Sequence, residues 1–172
     1  GNISLQGGHY GNAILSRWPI TKHVNRLLPN INGGEQRGVI QAYIQEPVTQ
    51  TPVVFLATHF DHRPDDAQRI ASAQAINEII QKHPQSPAIL AGDLNAGPES
   101  RTLLELKQHW TDSSDKPMPT IPVARPTRQI DFVLFRPSER WKVIESKVLD
   151  EAVASDHRAI LSVLRLQRDE EE

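Results

Sequence analysis

Two short runs of almost uninterrupted apolar residues, VVFLATH at 53–59 and AILAG at 88–92, do most to limit what this chain can fold into. Neither approaches the roughly 18 apolar residues a membrane span needs. Bounded by turn-forming residues, such runs read as strands buried on both faces. Pro52 precedes the first, and Gly97 and Pro98 follow the second. Between them the period changes. Ala67, Ile70, Ala73, Ile76, Ile79 and Ile80 recur at helical spacing within 65–83, with Asp65 and Asp66 near the positive N-terminal end and Pro84 as the stop.

Around this centre the chain reads mostly as strands. Residues 10–16 (YGNAILS) predict a strand ended by Pro19, and residues 39–44 (VIQAYI) predict another. Residues 99–110 predict a short helix with Leu103, Leu104 and Leu106 turned inward. Residues 111–128 hold Pro117, Pro119, Pro122 and Pro126 and read as a loop over the surface. Residues 130–135, 141–149 and 158–166 predict the last strands. Strands in sequential runs with few helices point to the α+β class, sheet layers covered by helices. At 172 residues the length suits one domain, spanning 1–168, with residues 169–172 as an acidic tail.

Composition excludes some chemistries. The net charge of −2 gives no global positive field to recruit nucleic acid, although 19 Lys and Arg leave room for a local basic groove. With no cysteine there is no disulfide, thiolate zinc site or cysteine nucleophile. The first residues, GNISLQGG, have neither the basic region nor the apolar core of a signal peptide. The only methionine is Met118, so residue 1 reads as the start of a processed or trimmed piece.

Polar groups gather where the predicted strands end: His59, Asp61 and His62 after one, Asp93 and Asn95 after the next, Asp131 near the start of a third, and Asp156 with His157 before the last. Each has an ordinary reading. Asp93-x-Asn95 ahead of Gly-Pro is a common turn signature, His59 suits a satisfied core histidine, and Asp156 can simply begin a turn. Asp131 is harder to dismiss. A carboxylate among Ile, Phe, Val and Leu is costly unless paired, and histidine is its natural partner. Oxygen donors from Asp93, Asn95 and Asp156 suit Mg²⁺ or Mn²⁺. The competing choice is zinc at His59-x-Asp61-His62, a pattern whose usual further histidine is replaced here by Ala57.

Taken in order, YGNAILSR (10–17), EQRG (35–38), THFDH (58–62), a helix carrying Arg69 and Gln74, AGDLNAGPES (91–100), QIDFVLF (129–135) and ASDHRAIL (154–161) resemble the endonuclease/exonuclease/phosphatase superfamily of metal-dependent phosphoesterases. The resemblance implies a two-sheet β-sandwich flanked by helices, of the four-layer α/β/β/α type, with the active site at the strand ends. It implies Asp93 and Asn95 in the metal and phosphate site and Asp156 as a metal ligand or water-orienting carboxylate. His157 would be paired to Asp131, with His59 across the phosphate and Asn12 and Arg37 lining the same groove. The implied cofactor is Mg²⁺ or Mn²⁺, and the implied reaction is in-line attack of water on a phosphate ester.

The resemblance also implies an N-terminal half carrying an early Asn and a metal-binding Glu. Nothing of that kind precedes Tyr10. Two expectations therefore stand side by side. One is a phosphoesterase acting on a phosphodiester or phosphomonoester, with nucleic acid, a sphingolipid head group, an inositol phosphate and a nucleotide tail all compatible substrates. The other is an incomplete portion of such an enzyme, with open sheet edges that favour pairing with a copy of itself or with an N-terminal segment. The sequence leaves open which histidine is acid and which is base.

Overall fold

The computed structural model describes residues 2–47 and 51–167, so the acidic residues 169–172 lie outside the described residues. Its centre is a six-stranded mixed sheet. The strands are β3 (Ile20–Leu27), β4 (Gly38–Gln45), β5 (Pro52–His59), β6 (Ala88–Asp93), β8 (Asp131–Arg136) and β7 (Thr111–Asp112), in that spatial order. β5 and β6 run parallel, joined by helix α1 (Ala67–Gln81); the other pairs are antiparallel. A second sheet pairs β9 (Trp141–Val148) with β10 (Ile160–Leu166), and a small hairpin pairs β1 (Ile3–Leu5) with β2 (Gly8–Tyr10). Helix α2 (Arg101–Leu106) packs on α1.

Side-chain alternation explains the layering. Val54 and Leu56 of β5, Ala88 and Leu90 of β6, and Phe132 and Leu134 of β8 share one core with Ile76 and Ile80 of α1 and Leu103 and Leu106 of α2. The intervening positions, Val53, Ile89 and Phe135, meet Trp141, Leu164 and Leu166 of the second sheet. Helix, sheet and sheet are thus stacked in order, the α+β sandwich arrangement anticipated from the sequence.

Several local expectations are corrected. Residues 11–16 form no strand; the strand ends at Tyr10 and the chain then runs on without ladder partners, with Leu15 98% exposed. Missed in sequence are the short strands β1, β2 and β7 and, longest of all, β3, whose ITKHVNRL is almost wholly exposed and so carries no apolar alternation. Leu104 points to solvent rather than inward, because α2 has only six residues and its buried positions are Thr102, Leu103 and Leu106. The inward face of α1 is also more polar than its apolar spacing suggests, with Gln68, Arg69, Ser72 and Asn77 buried on it.

Residues 111–128 are no mere surface loop. Thr120 is fully buried, and Met118 N–H donates to Gln129 Oε1 at 2.8 Å. Val123 N–H donates to the Asp156 carbonyl at 3.1 Å, while Arg158 N–H donates to the Thr120 carbonyl at 2.9 Å. The segment therefore holds the loop that precedes β10 against the edge of the main sheet.

One glycine sets how closely β5 and β6 approach. Gly92 pairs with Thr58, and a Cβ placed on it would lie 2.0 Å from the Thr58 carbonyl oxygen. Gly92→Ala is expected to lower the unfolding free energy by about 3 kcal/mol, the upper part of the overpacking range. Urea denaturation followed by circular dichroism measures this; an unchanged midpoint would mean that the two strands can part at no cost.

Candidate active site

The site is built at the end of the main sheet where β5 and β6 finish and β8 begins. The ladder register places His59 beside Asp93 and Asp93 beside Asp131, a transverse row of three polar side chains across three neighbouring strands. Continuing the alternation from Val53, Ile89 and Phe135 puts this row on the face away from the helices. His157 completes it from the loop before β10, with Nδ1 2.9 Å from Asp131 Oδ2. Ligand atoms of Asp93, Asp131 and His157 all lie within 4.8 Å of one another.

Each member is held by local bonds. Asp93 Oδ1 accepts the Asn95 backbone N–H at 2.8 Å, and its Oδ2 lies 3.4 Å from His59 Nε2. Asn95 takes a left-handed backbone, φ 46°, which Asn tolerates better than most residues. Its side-chain N–H donates to the Phe60 carbonyl at 3.1 Å, joining the ends of β5 and β6. Asp131 Oδ2 also accepts the buried Thr120 hydroxyl at 2.5 Å. Because this carboxylate oxygen only accepts, His157 Nδ1 is the donor and Nε2 is left as the ring's basic atom.

Two features of helix α1 support the surrounding loops. Gln68 Oε1 accepts from Ile31 N–H at 2.9 Å and from Arg63 Nη2 at 2.7 Å. Buried Arg69 donates to the carbonyls of Asp61, Arg63 and Pro64. The chain segments carrying EQRG and THFDH are thereby tied to one rigid helix.

The pocket at this edge, about 380 Å³, is lined by Tyr10, Glu35, Arg37, His59, His62, Asp93, Asn95, Asp156 and His157, with Ile3 as its apolar contributor. Arg37 is only 4% exposed. Its Nη2 bonds Glu35 Oε2 at 2.6 Å and lies 3.2 Å from His62 Nδ1, whereas Nε and Nη1 have no hydrogen-bond partner among the described residues. Burial, reinforced by the Arg37 guanidinium, holds His59 down to about 4. Burial pushes Asp93 up from the ordinary carboxylate range, partly offset by the Asn95 N–H, and the neighbouring Asp131 charge pushes it further.

Of the residues singled out in sequence, His59, Asp93, Asn95, Asp156, His157 and Arg37 line one pocket, and Asp131 sits directly behind His157. Asp156 is exposed on the rim, its Oδ1 accepting from the Ser155 hydroxyl at 3.3 Å. Asn12 lies in an adjoining cleft with Tyr10, Arg37 and His59 and donates to the Gly38 carbonyl at 3.4 Å. Asp61 is buried in an ion pair with Arg63 Nε at 2.8 Å, so the His59-x-Asp61-His62 triplet does not converge. Tyr10, Glu35 and Thr120 escape sequence reasoning alone. The first two stand inside recognisable motifs, but Thr120 lies in a proline-rich stretch with no local signal.

Hard oxygen donors from Asp93, with a second carboxylate next to it and the Asn95 carboxamide two residues on, suit a small divalent cation. Burial, and to a lesser degree the Asp131 charge, raises the Asp93 carboxyl, and a cation there would offset both.

The sequence model of the Endonuclease/Exonuclease/phosphatase family matches residues 2–157. The "Uncharacterized protein YbhP" of Escherichia coli K12 is 32% identical over 141 residues, which is 78% of this chain and 54% of that protein. The chain thus spans about half the length of the curated relatives it matches. Among solved structures, a functionally unknown conserved protein from Enterococcus faecalis V583 superposes with TM-score 0.77 at 19% identity, covering 87% of this chain and 67% of the other. A mannosyl-6-phosphatase from Bacteroides thetaiotaomicron VPI-5482 superposes with TM-score 0.76 at 20% identity, with coverage of 87% and 67%. At these identities the superpositions establish the shared fold.

The His59 environment makes stability depend on pH. Unfolded, the imidazole titrates near 6.5, and folded near 4, so the unfolded chain binds more protons between these values. Stability therefore falls on acidification through that window. Asp93 acts oppositely, because its raised carboxyl stabilises the fold at low pH and loses that contribution as pH rises from the ordinary 3.8. In metal-free buffer the unfolding free energy is expected to drop by about 2 kcal/mol from pH 7 to pH 4.5, with partial solvent access already discounted. Denaturation at a series of pH values measures it, and His59→Gln should flatten the slope.

Proposed function

Since the chain belongs to the endonuclease/exonuclease/phosphatase family, we propose that it carries the catalytic edge of a divalent-metal-dependent phosphoesterase, hydrolysing a phosphodiester or phosphomonoester by in-line attack of water. The observation that carries this reading is the His59–Asp93–Asp131 row with His157 docked on its end. Acids, imidazoles and a buried guanidinium converge there on a pocket sized for a phosphate group and its immediate substituent.

His157 is the group suited to take a proton from the attacking water at Nε2. Asp131 holds its other nitrogen and stabilises the imidazolium that results. Thr120 fixes the Asp131 carboxylate in turn. Arg37 presents guanidinium N–H groups to the developing negative charge on the non-bridging oxygens. His59, uncharged over the neutral range, is suited to hydrogen-bond the phosphate from the opposite side. Asp93 would hold Mg²⁺ or Mn²⁺, with Asn95 beside it and Asp156 from the rim. When bound, such an ion supplies charge stabilisation to the leaving and non-bridging oxygens.

A second reading is that the chain works only in assembly with a partner or a copy of itself. The observation favouring it is an apolar groove of about 670 Å³ between the two sheets, lined by Leu15, Trp18, Val53, Phe55, Trp141 and Leu164. An exposed apolar groove of this extent commonly marks an interaction surface.

One experiment separates the two. The purified chain is incubated with Mg²⁺ or Mn²⁺ and bis-nitrophenyl phosphate, plasmid DNA or a phosphate monoester, and its solution mass is measured in parallel. Turnover is expected with at least one substrate, abolished by EDTA and reduced about 10²-fold or more in Asp93→Ala and in His157→Ala. No turnover at any metal level from a folded monomer would overturn the first reading and favour the second.

A further inference from the structure

The two histidines of the pocket are held in different ways, and the difference assigns a task to a residue outside the acid–imidazole row. Tyr10 ends β2, where its backbone carbonyl accepts the Asn2 N–H at 3.0 Å and the strand register sets it opposite Ile3. From there its hydroxyl lies 3.0 Å from His59 Nδ1, and the two rings meet edge-on with centroids 6.0 Å apart. On the other side of the imidazole, Nε2 lies 3.4 Å from Asp93 Oδ2.

With the Asp93 carboxylate oxygen 3.4 Å away, a lone pair on Nε2 would face negative charge, so the ring's hydrogen belongs on Nε2. The uncharged ring then has one lone pair left, at Nδ1. A phenol hydroxyl can donate or accept, and opposite that lone pair it donates. We propose that Tyr10 is a positioning residue whose hydroxyl donates to His59 Nδ1, fixing His59 as the Nε2–H tautomer and making it a hydrogen-bond donor rather than a base. His157 is the mirror case. Its Nδ1 donates to Asp131, so Nε2 is the open basic atom. The pocket thus holds one imidazole as donor and one as base, each set by the partner of the remote nitrogen.

The part of this assignment that concerns what His59 donates to rests on the phosphoesterase reading; the tautomer itself does not. Ring-nitrogen correlation spectra of the ¹⁵N-histidine-labelled chain at pH 7 test it directly. His59 is expected to show a protonated-type Nε2 and an unprotonated-type Nδ1, with the opposite pattern for His157. In Tyr10→Phe, with the amide spectrum retained, the His59 pair should shift toward the averaged values of mixed tautomers. Any measured kcat should fall about fivefold, the factor one net hydrogen bond is worth, with KM little changed.

A His59 found as the Nδ1–H tautomer in the parent overturns the proposal whatever the variant does. So does a Tyr10→Phe spectrum in which the His59 nitrogens do not move, even if activity falls. If the tautomers are as expected but no substrate is turned over, the proposal stands and the phosphoesterase reading is what fails.

Discussion

Two carboxylates placed directly opposite each other on neighbouring strands set the terms for the rest of this fold. Asp93 and Asp131 are register partners across β6 and β8. Like charges in that relation are destabilising, and both side chains are half-buried. What surrounds them reads as a set of answers to that repulsion. Asp131 is satisfied by a hydroxyl and an imidazole on one oxygen, Asp93 by a backbone N–H, with a second imidazole 3.4 Å from its other oxygen. Burial raises the Asp93 carboxyl, which leaves room for a cation to do what a proton otherwise would.

Much of the scaffold is committed to holding that arrangement still. Gly92 lets β5 and β6 approach closely enough for His59 and Asp93 to share a row. Gln68 and Arg69 use a helix face that would otherwise bury only apolar groups to fasten the loops on either side of Arg37 and His62. Helix α2 is fixed to α1 through Asn77, which donates to the Glu105 carbonyl and accepts from the Trp110 indole. Polar groups buried on a helix in this way are costly unless partnered; Gln68 and Arg69 find partners in the loops of the site, and Asn77 finds them in and beside α2.

How much of this was legible in sequence depends on which force fixed each part. The buried strands β5 and β6 were readable because nothing else explains VVFLATH and AILAG at that length, and α1 because its period is helical. Asp131 could be matched to a histidine because a carboxylate in an apolar strand demands a partner. β3 was not readable: its ITKHVNRL is exposed, and its strand character comes only from ladder bonds to β4. Residues 11–16 mislead for the converse reason, since an apolar pattern there has no strand to pair with. Thr120 was invisible because its role depends on a contact 11 residues away across a proline-rich turn.

The alternation that orders the layers also ties the polar row to the apolar groove. Val53 and Phe55 lie along β5 at the same parity as His59, and Ile89 along β6 at the same parity as Asp93. Moving four residues along either strand, from Phe55 to His59 or from Ile89 to Asp93, therefore passes from hydrocarbon to chemistry without changing face. The groove and the polar pocket share no lining residue; on this face Ala57 and Ala91 stand between Phe55 and His59 and between Ile89 and Asp93. The side chains whose burial lowers the basicity of His59 and raises the Asp93 carboxyl lie on the same face as the hydrophobic packing. One face of the main sheet thus carries both the contact with the second sheet and, at its end, the polar row.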